Sequence, residues 1–426
     1  MVKNTRNFNS ARKFYFFAEF IENAFSPPGV IIKIMSEWKA RIENLIGEID
    51  DFSDKIRGRL RRIKGFEESL IIVPFLGYGN ANKFLLSGRV LEDKGEVTSS
   101  ETDGKRRNLL NLYRRFATDE VPQARVRAVF QGVEREVVTD GEGYFNLELN
   151  LSEPLTSESD SPFQEIQLEL LEPSSRNGQA VRAVGRVLVP QPRAAFGIIS
   201  DLDDTVITTN VTNRLKMFLT VALLNEYTRM PFKGVAAFYR ALQKGASGAE
   251  NNPIFYVSSS PWNLYPFLTA FLKLHEIPLG TLFLKDFGNH TIFNSGDHST
   301  HKISSIEAIL NTYPDLPFVL IGDSGEKDPE IYREVVRKYP NRIRAIYIRS
   351  INTKPERLAA IDKLTAEVAE TGCQLVVAPD TEFAAVHAAA EKLISTGELP
   401  NIREEKKEAE NAPKAQEIVE NSPEIQ

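Results

Sequence analysis

The chain has 426 residues, enough for two or three domains with sizeable cores, and its 42% hydrophobic and 26% charged residues are those of an ordinary globular protein. A formal net charge of -6 argues against a general nucleic-acid binder, which carries a basic excess. The single cysteine, Cys373, excludes an intrachain disulfide and a cysteine-based zinc cage, and it fits a reducing, cytoplasmic setting.

No run of about 18 apolar residues is present, so no transmembrane helix is expected. The nearest approach, 14–34, is broken by Glu19, Glu22 and the Pro27-Pro28 pair. Lys3, Arg6, Arg12 and Lys13 resemble the basic start of a signal peptide, but the two glutamates spoil the apolar core such a peptide needs. Met35 offers an alternative start, which makes 1–34 an extension without a fold of its own.

From 36 to 63, Trp38, Ile42, Leu45, Ile49, Phe52, Ile56, Leu60 and Ile63 recur at gaps of three and four, the stripe of an amphipathic helix. Basic residues crowd 55–64, where they suit the helix dipole. Residues 1–66 are therefore read as an extension plus helix that packs on a neighbour, with membrane-surface binding as the alternative. Residues 67–190 read as an accessory domain of antiparallel β-sandwich type. Strands are expected at 69–73, 84–91, 124–130, 134–139, 144–149, 165–171 and 180–189, with a hairpin turn at Asp140-Gly141-Glu142-Gly143. Polar loops fall at 92–105 and 152–162, and 105–116 is a second basic amphipathic stretch.

Pro190-Gln191-Pro192 marks a boundary. Over 195–395, apolar strands at 196–200, 254–258, 281–285, 318–322, 343–348 and 374–378 alternate with helical patterns. This predicts an α/β domain, a doubly wound parallel sheet with helices on both faces and its ligand at the carboxyl ends of the strands. An insert at 207–243 carries Val211, Leu215, Phe218, Leu219 and Ala222 at helical spacing; it packs on the core or forms a ledge for acyl chains. The tail, 401–426, is rich in Glu, Lys, Asn and Pro and is expected to stay disordered.

Reactive groups gather at the strand ends. The first strand runs into Asp201-Leu202-Asp203-Asp204-Thr205. Asp201 and Asp203 point to one side of an extended backbone and repel unless a cation lies between them, while Asp204 faces away and takes no role. The second strand ends in Ser258, Ser259 and Ser260; Ser258 is preferred because it follows the apolar run directly, the alternative being that one of the three caps the next helix. Lys302 opens a helical pattern, and the fourth strand releases Asp323 and Asp328, five apart. His290, His298 and His301 lack cysteine partners and are too loosely spaced for a convincing zinc site. Gly322-Asp323-Ser324-Gly325 looks like a serine-protease string, but the parallel-strand end and Pro329 contradict that context. A G-x-x-x-x-G-K-[ST] loop is missing, and Cys373 lacks an arginine six residues on.

D-x-D-x-T, a strand-end serine, a lysine and G-D-x-x-x-x-D, in that order, resemble the four motifs of the haloacid dehalogenase superfamily of phosphotransferases. The longer strings 200–206, 256–262, His301-Lys302, 322–330 and 345–349 resemble the actin-patch-type phosphatidate phosphatase catalytic domain, in a bacterial-type arrangement with an N-terminal β-domain; 73–79 and 88–90 share this more loosely. The resemblance implies a Mg2+-dependent phosphatidate phosphatase yielding diacylglycerol and phosphate. Asp201 is the implied nucleophile and Asp203 the general acid, then base. Asp201, Asp203 through its carbonyl, Asp323 and Asp328 are the implied metal set, with Asp328 in support. Ser258 and Lys302 hold phosphoryl oxygens, and Thr205, Ser260 and Ser324 are candidate substrate-binding hydroxyls. The implied partner is phosphatidate at an anionic membrane surface, approached peripherally through 55–64 and 105–116, with no nucleic acid. A soluble phosphomonoester, a phosphoprotein, or a non-enzymatic scaffolding role are the other readings.

Overall fold

A computed structural model describes residues 69–93, 120–155, 161–174, 179–202, 234–285, 298–351 and 354–411. The chain divides into Met1–Glu67 and Glu68–Gln426. The first unit, and with it the helix expected over 36–63, lies outside the described residues. So do the basic stretch 105–116 and the region 203–233, which holds Asp203, Asp204, Thr205 and most of the insert.

Strands β1 (Ser69–Pro74), β2 (Gly77–Gly79), β3 (Lys83–Asp93), β4 (Arg125–Phe130), β5 (Val133–Val138), β6 (Tyr144–Asn150), β7 (Phe163–Glu172) and β8 (Arg182–Leu188) form the first sheet. Among the described residues its order is β1-β3-β2-β8-β7-β4-β5, with β6 paired to β3. Burial alternates along β4 and β6, the mark of strands with one wet face. The inward residues, among them Phe84, Leu86, Val126, Phe145, Leu147, Ile166 and Leu168, share one core. The expected sandwich thus takes the form of a single hydrogen-bonded sheet around that core. The turn before β6 is the expected one: Asp140 Oδ1 accepts from the amides of Glu142 and Tyr144, both at 2.9 Å. β2 is a strand the sequence reading missed, and its pairing with β8 is parallel.

The second sheet is parallel throughout: β9 (Gly197–Asp201), β10 (Ile254–Pro261), β11 (Thr281–Lys285), β12 (Phe318–Asp323), β13 (Ile343–Arg349) and β14 (Gln374–Ala378). Its order is β11-β10-β9-β12-β13-β14, so the order reverses between β9 and β12. That is the place where doubly wound sheets bind ligands. β9 and β12 are buried at every position, which explains their unbroken apolar runs. Helices α1 (Val235–Lys244), α2 (Tyr265–Leu274), α6 (Thr381–Ala390) and α7 (Leu399–Asn411) share one apolar cluster with the sheet. Helices α3 (His298–Thr312), α4 (Asp328–Lys338) and α5 (Pro355–Ala369) share the other. No helix among the described residues is long and apolar enough to cross a membrane.

The tail expectation fails for its first part, since α7 is an ordered helix. Composition misleads because few residues do the apolar work: Ile402 is fully buried, worth about 1.5–3 kcal/mol, and Leu399 packs against the same cluster. Around it, Glu405 binds Arg240 at 2.6 Å, and Lys406 reaches Asp380 at 2.7 Å and Glu382 at 3.2 Å. The ordered part of the chain therefore continues past the boundary drawn at 395; residues 412–426 lie outside the described set.

Candidate active site

The sheet brings the motif residues together by register alone. Asp201 ends β9 opposite Val257 of β10, so it lies one step from Ser258. On the other side Ser200 pairs with Ile321, two residues before Asp323. A carboxylate oxygen from each of Asp201, Asp323 and Asp328 lies within 4.8 Å of the others, and all three residues are buried. Asp201 and Asp323 thus share a site, as the paired motifs require.

Asp328 joins them because α4 begins there and folds back over the end of β12. Its Oδ2 accepts the amide of Asp323 at 3.1 Å. The approach demands glycine at 322: a Cβ there would lie 2.4 Å from Asp328 Oδ2 and 2.7 Å from Asp328 Cβ. Gly322→Ala is expected to push Asp328 off the cluster and raise the divalent-ion concentration for half-maximal activity roughly 10-fold or more, as loss of a supporting partner does. An unchanged ion requirement would refute the supporting role of Asp328.

Lys302, in the first turns of α3, is buried with its Nζ 2.8 Å from Asp201 Oδ1, 2.6 Å from Asp328 Oδ1 and 2.6 Å from Glu326 Oε2. Burial works against its charge, but the three carboxylates outweigh it and hold the ammonium well above its ordinary pKa. Four acids, Asp201, Asp323, Asp328 and Glu326, therefore face one lysine. The imbalance appears in the acids: burial first, then the charge of Asp328, pushes Asp323 up to about 7. Asp328 is also raised, chiefly by burial, against the pull of Lys302.

These residues fit a hard divalent cation. All three converging ligand groups are carboxylates, and Asp323 Oδ2 is buried without a hydrogen-bond partner among the described residues. A pH consequence follows. With its folded pKa above its unfolded value, Asp323 contributes stability that is full below about pH 4 and is lost as the pH rises through about 7. In chelator, the melting temperature should fall between those limits more steeply for wild type than for Asp323→Asn. Parallel curves would show that Asp323 is not held neutral by its surroundings.

Ser258 is buried, and its Oγ accepts the amide of Ser260 at 2.9 Å. No serine caps the 3-10 turn Trp262–Leu264 or α2, which removes the capping alternative. Ser260 is buried beside it. Ser324 is buried too, but its Oγ accepts the amide of Ile351 at 2.9 Å and ties the loop after β13. His301 is buried on α3; the one group among the described residues that could hold a metal ion is the carboxylate set. Three contributors escaped the sequence reading. Glu326 completes the shell of Lys302. Arg357, in the first turn of α5, donates to the carbonyls of Ser324 at 3.0 Å and Glu326 at 2.6 Å and pairs with Glu330, clamping the loop between the two aspartates. Ser200 Oγ donates to the Asp201 carbonyl at 2.7 Å and lies 2.6 Å from the Tyr239 hydroxyl, which backs β9 from α1.

Residues 196–350 match the family model of the phosphatidate phosphatase APP1 catalytic domain. Phosphatidate phosphatase APP1 of Saccharomyces cerevisiae is 37% identical over 158 residues, 36% of this chain and 26% of the yeast protein. An uncharacterized protein of Schizosaccharomyces pombe is 29% identical over 241 residues, 56% of this chain and 38% of that one. The chain thus spans well under half the length of these two relatives. Among solved structures, a carbohydrate acetylesterase from Xanthomonas citri aligns over 80% of this chain and 75% of that chain at 12% identity, with a TM-score of 0.26 that is too low to bear on the fold. The segment that carries Asp201, Ser258, Lys302, Asp323 and Asp328 is the part of the chain that is similar to the phosphatidate phosphatase APP1 catalytic domain.

Proposed function

We propose that this chain is a Mg2+-dependent phosphatidate phosphatase with a haloacid dehalogenase-like catalytic domain, which releases diacylglycerol and phosphate at an anionic membrane surface. The single observation that carries the reading is the convergence of Asp201, Asp323 and Asp328 on one buried spot beside Lys302. The family match of 196–350 supplies the substrate.

The chemistry follows from the residues. An alkyl phosphate monoester is dianionic and its alkoxide is a poor leaving group, so the reaction needs a held nucleophile, neutralised charge and an acid. Asp201 attacks phosphorus as the P–O bond to the glycerol oxygen breaks, leaving an aspartyl-phosphate. Asp203, which lies outside the described residues, gives its proton to the departing oxygen. It then takes one from the water that attacks the intermediate, and phosphate leaves with Asp201 restored. Lys302 and Ser258 hold the non-bridging oxygens, the lysine offsetting charge that grows in the transition state. Asp201, Asp323 and the Asp203 carbonyl would hold Mg2+, with Asp328 in support, and the ion supplies positive charge against the phosphoryl oxygens.

Thr205 and Ser260 are assigned to the same oxygens; the bond that Ser324 Oγ accepts from the Ile351 amide favours a structural part for that residue instead. The first sheet is assigned an accessory role, and the basic stretches 55–64 and 105–116 a peripheral contact with anionic lipid, about 1 kcal/mol per basic residue. The test is phosphate release from vesicles of phosphatidate in phosphatidylcholine, set against short-chain soluble phosphomonoesters, with Mg2+ and with chelator. Release from vesicles that stops with chelator is expected. Turnover of the soluble esters alone would make the enzyme a metabolite phosphatase, and none at all would leave a scaffold.

A further inference from the structure

The first sheet packs against the segment that follows the candidate serines. The turn between β1 and β2 leaves the first sheet and lands on the segment that follows β10. Phe75 stacks on Trp262, with ring centroids 5.1 Å apart and planes 10° apart, and its ring lies 4.2 Å from that of Tyr265. The Leu76 amide donates to the Tyr265 hydroxyl at 2.6 Å. One residue on, the Gly77 carbonyl accepts from Thr281 Oγ1 of β11 at 3.1 Å. Phe75 is 3% exposed and lies in the core of the parallel sheet, with Val73 of β1 packed against the same cluster.

What this turn touches is the far anchor of the serine loop. β10 pairs regularly with β11 up to Val257, then slips register and pairs again only at Pro261, opposite Lys285. Ser258, Ser259 and Ser260 form the bulge between. A bulge re-aims side chains, and its geometry is only as definite as its two ends. The near end is pinned by the pairing of Val257 with Asp201. The far end is Pro261, and the next residue is Trp262, held against Phe75.

We infer that the β1–β2 turn of the accessory sheet positions the serine bulge for phosphoryl binding, with Phe75 as the positioning residue acting through Trp262 and Tyr265. The inference rests on the phosphatase reading and gives the accessory sheet a part in the active site. It also separates two halves of that site: the serines depend on the other sheet, whereas the carboxylates are set by β9, β12 and α4.

The chain has two tryptophans, Trp38 and Trp262, so Trp38→Phe leaves Trp262 as the sole emitter. In that background Phe75→Ala, Phe75→Tyr and Tyr265→Phe are compared for phosphate release, Mg2+ dependence and Trp262 emission. Phe75→Ala is expected to red-shift the emission and lower kcat roughly 10- to 100-fold, the scale of a small misplacement, with the Mg2+ concentration for half-activity unchanged. Phe75→Tyr should restore both, and Tyr265→Phe should lower kcat several-fold. Wild-type kcat in Phe75→Ala overturns the inference. So does a loss of kcat accompanied by a matching rise in the Mg2+ requirement, which would place the damage at the carboxylates. If Phe75→Ala does not fold, wild-type kcat in Tyr265→Phe decides against it. An unmutated chain inactive with Mg2+ on every phosphomonoester is a different result: it removes the functional reading and this inference with it.

Discussion

Asp201→Asn should lower phosphate release by about 10^3-fold or more while leaving the fold intact and, in chelator, more stable than wild type. The loss of activity follows from removing the only group proposed to form the covalent intermediate. The gain in stability comes from charge. Three buried or half-buried acids pair with one lysine and Asp323 adds a fourth to the cluster, and the asparagine removes one acid while keeping an oxygen that Lys302, 2.8 Å from Asp201 Oδ1, can still reach. Lys302 keeps Asp328 and Glu326 as partners. Two measurements check this together: phosphate release at saturating Mg2+, and thermal unfolding with chelator. Activity within tenfold of wild type would reject Asp201 as nucleophile, and a lower melting temperature would reject the account of repulsion.

Lys302→Met should be the most destabilising substitution at the site. Removing one partner of a buried ion pair costs about 3–5 kcal/mol, because the charges left behind keep their desolvation penalty. In a unit this large that corresponds to a fall in melting temperature on the order of 10 °C. Activity should drop about 10^2- to 10^3-fold as the phosphoryl oxygens lose their cation. A divalent cation should recover much of the stability and little of the rate, since it can neutralise the carboxylates but cannot stand where Nζ stood. Adding Asp328→Asn to Lys302→Met should likewise raise the melting temperature. If neither treatment does so, the three contacts of Lys302 do not have the energetic weight given to them here.

Much of the catalytic sheet was legible because parallel strands are buried on both faces. Runs such as 196–200 and 318–322 have no polar residue to blur them until the chain reaches the strand end. Polarity changes abruptly there, and the change itself marked Asp201 and Asp323. Lys302 was legible only through its order between motifs, since an isolated lysine at the start of a helix has many uses. Arg357 was not legible at all: it clamps a loop some thirty residues upstream through carbonyl oxygens, and carbonyl oxygens leave no mark in a sequence. Glu326 was hidden among other polar residues for the same reason that it is half-exposed. β2 was missed because three residues, two of them glycine, cannot set up a periodicity. The helix at 399–411 was missed because Ile402, its one buried side chain among those described, is outvoted by charged neighbours in any average over composition.

That helix has a consequence for a helix far earlier in the chain. The residue ahead of α1, Gly234, is in a left-handed conformation with φ 76° and has no side chain to cap the helix. The free amide of Ala237 is taken instead by Glu405, at 3.0 Å, with the same carboxylate paired to Arg240. A residue about 170 positions later in the chain thus does what an aspartate or serine just ahead of a helix ordinarily does. α1 carries Tyr239, which backs β9, the strand that ends in Asp201. A protease cut just after 398 would therefore uncap α1, and the damage would be felt at Asp201 from behind.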